Sequence, residues 1–499
     1  MQRFSRIVGS GAFFWLTTAL FILEAAWIAL SARYPQAFDE QFHFGLIQLY
    51  SHHLGPFLHG QPAGADQFGP VAHDPSYLYH YLMSFPYRLI AHFTGSQTTQ
   101  IILLRLINVA LFAASLPLFR RVLRYTSASP ALINAVLFFF VLTPVSPLLA
   151  SQLNYDNMVI PVTALSLLLT LRILRRLHRE QVFSLAAVAW LVVVWALGSL
   201  VKYPFLPIAA AEFLVLAFGM WRVHRTDARV GIALPGRWQL AFAVVAAVLS
   251  LGLFCQRYGV NLVEYHSTSP ECSKALSVSQ CEAYAPWARN FAIAKYKAAP
   301  VPLNQELVFP FVWIYRVMGE LLFTIGSAFN QKGTVDYYVG TQLLVMEVIG
   351  WVVFGAGVLF GVLFAKRLWR ESALRLFGVA VLLYVVALFA QNFLDFRRLG
   401  EITAVHGRYL LPLLPLLFVA VGLAVKHFID SVRLSRSRQT SVKAVAACVF
   451  MLVMLLNGGF VTYLVRSDEG WWWPQSSAVR TVNHGAQKVL DPIVLDKKN

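Results

Sequence analysis

Apolar runs of membrane-span length recur near residues 11–31, 98–118, 131–149, 157–171, 183–201, 204–220, 239–256, 341–365, 376–392, 408–425 and 444–464. The pattern predicts an all-α polytopic membrane protein with about 11 transmembrane helices. Residues 1–465 read as one transmembrane domain, and 466–499 as a short tail.

The polar intervals fix the sidedness. Arg3 and Arg6 precede the first run, and Arg120, Arg121 and Arg124 follow the second. Further basic clusters lie at Arg172–Arg179, from Arg222 to Arg237, at Lys366–Arg375 and at Lys426–Lys443. With eleven spans, all six clusters fall on one side, as basic cytoplasmic loops do. The N-terminus is then cytoplasmic. Two long outer loops are predicted, at 32–97 and 257–340, and the tail is also outside.

One further stretch, Leu307–Phe329, is apolar but carries Arg316 and Glu320, four residues apart and able to pair on a helix face. Counting it as a span would move Lys366–Arg375 outside. It therefore reads as an amphipathic helix at the outer interface, or as a re-entrant piece. "WWWP" at 471–474 suits an interfacial aromatic belt that anchors the tail.

Composition agrees. The chain has 499 residues, 58% hydrophobic and 13% charged, with a mean hydropathy of +0.60. A soluble domain cannot bury that much apolar surface. The net charge of +17 is dispersed between apolar runs, which argues against nucleic acid as a partner. The N-terminus imitates a signal peptide, with "ALS" before Ala32, but its apolar stretch is nearer span length and reads as an uncleaved first span. Cys272 and Cys281 share one polar loop and pair if it faces an oxidising compartment; otherwise they are free thiols. Cys255 and Cys448 read as small buried hydrophobes. There is no P-loop and no Gly-rich nucleotide fingerprint.

Conspicuous polar residues gather at the outer ends of the spans. Asp39 and Glu40 follow the first. His73 and Asp74 lie later in the same loop, Asp156 in the turn between the third and fourth spans, Lys202 at the next outer turn, and Arg408 at a later span's start. Charges at one depth suggest a polar cavity opening outward, whereas a transporter places key charges near the midplane. Each residue also has a plainer reading. Asp39 can simply cap a helix, Asp156 can form a turn, and Arg408 and Lys202 can snorkel. Asp39 and His43 are spaced i, i+4, and seven of thirteen histidines fall between His43 and His92. A divalent metal ion is the one candidate cofactor, with Asp39, His43 and Asp156 as ligands, although no tight ligand motif exists. Glu24 and Glu347 sit inside spans, as functional or as hydrogen-bonded structural carboxylates.

"FDEQFHF" (Phe38–Phe44), "HDPSYLYHYL" (His73–Leu82), "NYDNMVIP" (Asn154–Pro161) and "HGRYLLPLLP" (His406–Pro415) stand in an order that resembles the GT-C class of membrane glycosyltransferases, especially the protein O-mannosyltransferase and aminoarabinose-transferase-like families. The resemblance covers residues 1 to about 425. It departs at Asp74-Pro75-Ser76, where those families carry a double proline, and in lacking the large soluble C-terminal domain of oligosaccharyltransferase subunits.

The resemblance implies a polyprenyl-phosphate-linked sugar as donor, a glycan, lipid or protein hydroxyl as acceptor, and hexosyl or pentosyl transfer at the outer face with inversion. It implies Asp39 as base with Glu40 beside it. Arg408 and Lys202 would stabilise the departing phosphate, with Tyr409 and His73 also on the donor side. Asp156 would orient the acceptor or help hold a metal. A bacterial inner membrane is the expected location. A transporter or flippase for lipid-linked sugars, and a non-catalytic assembly subunit or polymerase, are the alternatives. Convergence of Asp39, Arg408 and Asp156 in one cleft would separate them from a transferase.

Overall fold

The computed structural model describes residues 2–36, 38–58, 60–143, 145–225, 231–233, 236–297, 300–323, 327–329, 335–337, 344–432, 436–456, 463–464, 472–473 and 476–494. It is a bundle of helices, with two short two-stranded pairings, Val182–Ser184 with Gly231–Ala233 and Ser327–Phe329 with Val335–Tyr337. The described residues of the eleven apolar runs lie almost entirely on helices, while 144, 341–343 and 457–462 fall outside the described residues. Among the described residues, seven helices are long and apolar enough to cross a membrane, and Pro130–Leu142, Leu185–Val201 and Val348–Leu363 are shorter apolar helices. The chain is an all-α polytopic membrane protein.

Local chemistry sets where the spans begin. Ser10, Ser96 and Ser129 each accept a hydrogen bond from the backbone N–H three residues on, capping Gly11–Ser31, Gln97–Leu123 and Pro130–Leu142. The run expected at 131–149 is two pieces. Thr143, before a proline, is extended, and a second helix covers Val145–Ala150. Within the spans, Glu212 accepts from Ser166, Thr170 and Trp195 and ties three helices together.

The first long loop is structured. Helices Glu40–Ser51 and Leu78–Phe93 pack on each other, and Leu78–Phe93 also packs on the second span. The helix at Leu303–Phe323 carries no Arg316–Glu320 pair. Glu320 is buried and accepts the Gly407 N–H at 2.5 Å, while Arg316 is exposed. The helix is thereby bound to the 3-10 segment Gly407–Leu413.

The tail is not held by a lipid-facing aromatic belt alone. Trp472 is fully buried, bridges Ala32, and packs with Ile28, Tyr463 and Val479. Trp27 donates to Asn483 at 3.0 Å, so the helix Ser477–Val494 docks on the end of the first span. Trp471, Pro474 and the side chain of Glu347 lie outside the described residues.

Candidate functional site

The turn before helix Glu40–Ser51 builds the site. Phe38 and Asp39 both occupy the left-handed region, at φ 57° and 64°. Two adjacent non-glycine residues there are costly and need outside support. Asn154 supplies part of it, donating to the Phe38 carbonyl at 3.0 Å. Asp39 holds the N-cap position but makes no side-chain cap bond. Its carboxylate stands 71% exposed, with Arg408 Nη2 3.5 Å away.

Glu40 does not share that space. It is buried and takes both prongs of Arg105, Nε at 2.8 Å and Nη2 at 2.7 Å. It also accepts the N–H groups of Gln36 and Leu153, at 2.7 and 3.2 Å. A carboxylate with four donors is an anchor and not an available base, so the expected catalytic partnership with Asp39 gives way to a positioning role. Arg105 also donates to the carbonyls of Ala29 and Ala32, which fastens the end of the first span to the turn carrying Asp39.

Arg408 comes from the other end of the chain. Gly407 before it has no room for a Cβ, which would crowd the Val317 carbonyl and lie 2.8 Å from the Leu321 nitrogen. This close approach seats the segment and directs Arg408, itself buried, over the Phe38 ring at 4.4 Å. Tyr409 lies between the two cations, 4.5 Å from Lys202 Nζ and 5.3 Å from the Arg408 guanidinium carbon.

Lys202 and Asp156 form the second charged pair, 2.5 Å apart and both buried. Lys202 caps one helix while Asp156 opens another. Burial pushes the Lys202 ammonium down in pKa, Asp156 pulls it back up, and Arg408 lowers it. The Asp156 Oδ2 is buried and has no hydrogen-bond partner among the described residues. Tyr155 lies under Lys202 at 4.5 Å.

The trio Asp39, His43 and Asp156 does not assemble as metal ligands. No group of three His, Cys, Asp or Glu able to hold a metal exists among the described residues. Asp156 turns to Lys202, and His43 points into the packed loop helices, its Nδ1 2.9 Å from His80 Nε2, one ring donating to the other. Both imidazoles are buried. Desolvation holds His43 well below its usual range, with His80, Arg408 and Lys202 acting the same way, and puts His80 at about 3.

A cavity of about 560 Å³ adjoins this cluster through Tyr155. Phe42, His73, Asp74, Tyr203, Tyr284 and Trp287 are among its walls. His73 therefore lies in the cavity, its Nε2 3.3 Å from the Tyr265 hydroxyl, and not against Arg408. Cys272 and Cys281 are joined in a disulfide in the loop that forms the far wall. Burial raises the pKa of Asp74.

The structure thus brings Asp39, Arg408, Tyr409, Lys202 and Asp156 together and separates Glu40 and His73 from them, while His43 borders the cluster with its ring 4.6 Å from that of Tyr155 and its Nδ1 turned to His80. Sequence reasoning passed over Arg105, although its signal was available: it is the lone charge in the run 98–118 and needs a buried partner. It also passed over Gly407 and Tyr155, which carried no such signal, and over the role of His80, which stood unresolved within the histidine-rich stretch His43–His92.

No family model matches the chain, and no curated protein does. Among solved structures, the chain is similar to the oligosaccharyltransferase of Archaeoglobus fulgidus tethered to an acceptor peptide (13% identity, TM-score 0.47), over 96% of this chain and 59% of that one. It spans, in other words, well under two thirds of that protein's length. It is also similar to ArnT from Cupriavidus metallidurans bound to undecaprenyl phosphate (14% identity, TM-score 0.42), over 96% of this chain and 70% of that one.

Proposed function

We propose that the chain is a glycosyltransferase that moves a sugar from a polyprenyl-phosphate-linked donor to an acceptor hydroxyl at the outer face of a bacterial inner membrane. The observation that carries the reading is the pairing of one exposed carboxylate, Asp39, with the buried cations Arg408 and Lys202 at one end of an apolar helical bundle. The sequence motifs that place these residues point the same way.

In this reading Asp39 takes the proton of the acceptor hydroxyl as its oxygen attacks the anomeric carbon. The carbon–oxygen bond to the phosphate breaks, and the polyprenyl phosphate leaves with the bonding pair. Phosphate is a weak base, so no general acid is required, and a single displacement inverts the anomeric centre. Arg408 and Lys202 stabilise the leaving phosphate through charge-assisted hydrogen bonds. Asp156 holds Lys202 in place. The adjoining cavity, walled by aromatic rings, His73 and Asp74, receives the acceptor.

The test is release of free polyprenyl phosphate from a panel of polyprenyl-phosphate sugars, with membrane extract as acceptor source. Wild type should release it and Asp39→Asn should not. Equal release by both removes Asp39 from the chemistry. No release by folded wild type from any donor removes the transferase reading and favours a transporter.

A further inference from the structure

At the opposite end of the bundle, a second cavity of about 570 Å³ opens between the ends of Gln97–Leu123 and Asp156–Arg179 and the start of Ser372–Leu399. Arg172 lies 16 residues along its helix from Asp156, so roughly 24 Å separates the cavity from the proposed active site. Arg121 and Arg124 line one wall, and Arg172, Arg175 and Arg179 the other. No carboxylate lines it among the described residues. The nearby Glu371 carboxylate accepts the backbone N–H and hydroxyl of Ser127.

Sidedness alone asks only that basic residues lie on one face of the membrane. It does not ask five of them to converge. Arg172, Arg175 and Arg179 are spaced i, i+3 and i+7, a single stripe, and like charges so placed repel unless an anion lies among them. Arg222 and Arg225, at the same end of another helix, do not enter this cavity, and Arg225 covers Trp221 instead. Leu168 and Leu171, which precede the arginines on the same helix, and Leu174, between Arg172 and Arg175, close its inner side and are themselves buried in the core. The cavity lies at the ends of membrane-spanning helices, the level at which lipid headgroups stand, and this favours a lipid phosphate over a free one.

We propose that this cavity binds the phosphate-bearing headgroup of an anionic membrane lipid, with the five arginines on the phosphate oxygens. The site is independent of the transferase reading and stands if that reading fails.

The test uses the full chain, delipidated in detergent and titrated with phosphatidylglycerol or cardiolipin, with retained lipid read by native mass spectrometry. Wild type should retain either anionic lipid at least about tenfold better than phosphatidylcholine. Arg172→Gln/Arg175→Gln/Arg179→Gln should lose that preference, and Arg222→Gln/Arg225→Gln should keep it. If the triple variant does not fold, Arg121→Gln/Arg124→Gln on the opposite wall decides in its place. Equal losses in the cavity and control variants would reduce the effect to bulk charge and overturn the site. Displacement of the lipid by millimolar inorganic phosphate would make the ligand a free phosphate and overturn the lipid assignment.

Discussion

Glu40 and Arg105, 65 positions apart, meet in a two-pronged buried ion pair at 2.7 and 2.8 Å. The pair fastens the first loop to the second span and leaves the neighbouring Asp39 facing solvent. Removing one partner strands a charge in the interior. Arg105→Ala should therefore destabilise by about 3–5 kcal/mol, and Glu40→Gln/Arg105→Met should recover part of it. Thermal unfolding of the detergent-solubilised variants measures this, and unchanged melting in Arg105→Ala would deny the pair its anchoring role.

Asp39 should behave in the opposite way. Its carboxylate is mostly exposed and caps no helix nitrogen, so Asp39→Asn should change stability by no more than about 0.5 kcal/mol. Turnover should fall at least roughly 100-fold. Asp39→Gly should be no less stable than wild type, since glycine adopts φ 64° without a Cβ clash, and equally inactive. Transfer assays and melting curves on the same preparations separate the two effects.

Lys202→Gln combines both kinds of loss. It removes a cation from the site and leaves Asp156 buried without its partner, a cost of about 3–5 kcal/mol. Adding Asp156→Asn should restore much of the stability but none of the turnover. Recovery of turnover in the double variant would mean that Lys202 serves only to neutralise Asp156.

Gly407→Ala tests how Arg408 is placed. The added methyl meets the Val317 carbonyl and Leu321 backbone, which cannot yield without moving the helix Leu303–Phe323. A destabilisation of about 1–3 kcal/mol is expected, with a raised KM for the lipid donor as Arg408 shifts. Wild-type KM and melting would show that the segment adjusts freely.

The His43–His80 pair should give an acid limb to stability. Burial holds both imidazoles below the ordinary 6.5, His80 at about 3, so the folded state refuses protons that the unfolded chain accepts. Their stabilisation is complete above pH about 6.5 and is lost as pH falls from there toward 3, by up to about 1.4 kcal/mol per pH unit for each ring. His80→Phe should flatten this slope between pH 6.5 and 5, as measured by unfolding midpoints across pH.

The sequence by itself determined the membrane class, the helices under the described parts of the apolar runs, and which polar residues sit at the span ends. Those features are local: a span needs only a length of apolar residues, and a serine or a proline marks its start or its break. Asp39, Arg408, Lys202 and Asp156 were legible for the same reason, as charges where an apolar run begins or ends. Their assignment into pairs was decided only in three dimensions. Glu40 and Asp39 are neighbours in the chain, yet the left-handed turn at Phe38 and Asp39 sends one carboxylate to Arg105 and the other to solvent. His43 at i+4 from Asp39 promised a shared face, but His80 from the next helix captured it. Glu320 left Arg316 for the Gly407 backbone. In each case an ion pair or hydrogen bond is won by the partner that tertiary packing brings nearest inside a low-dielectric interior, and sequence spacing carries no information about that distance.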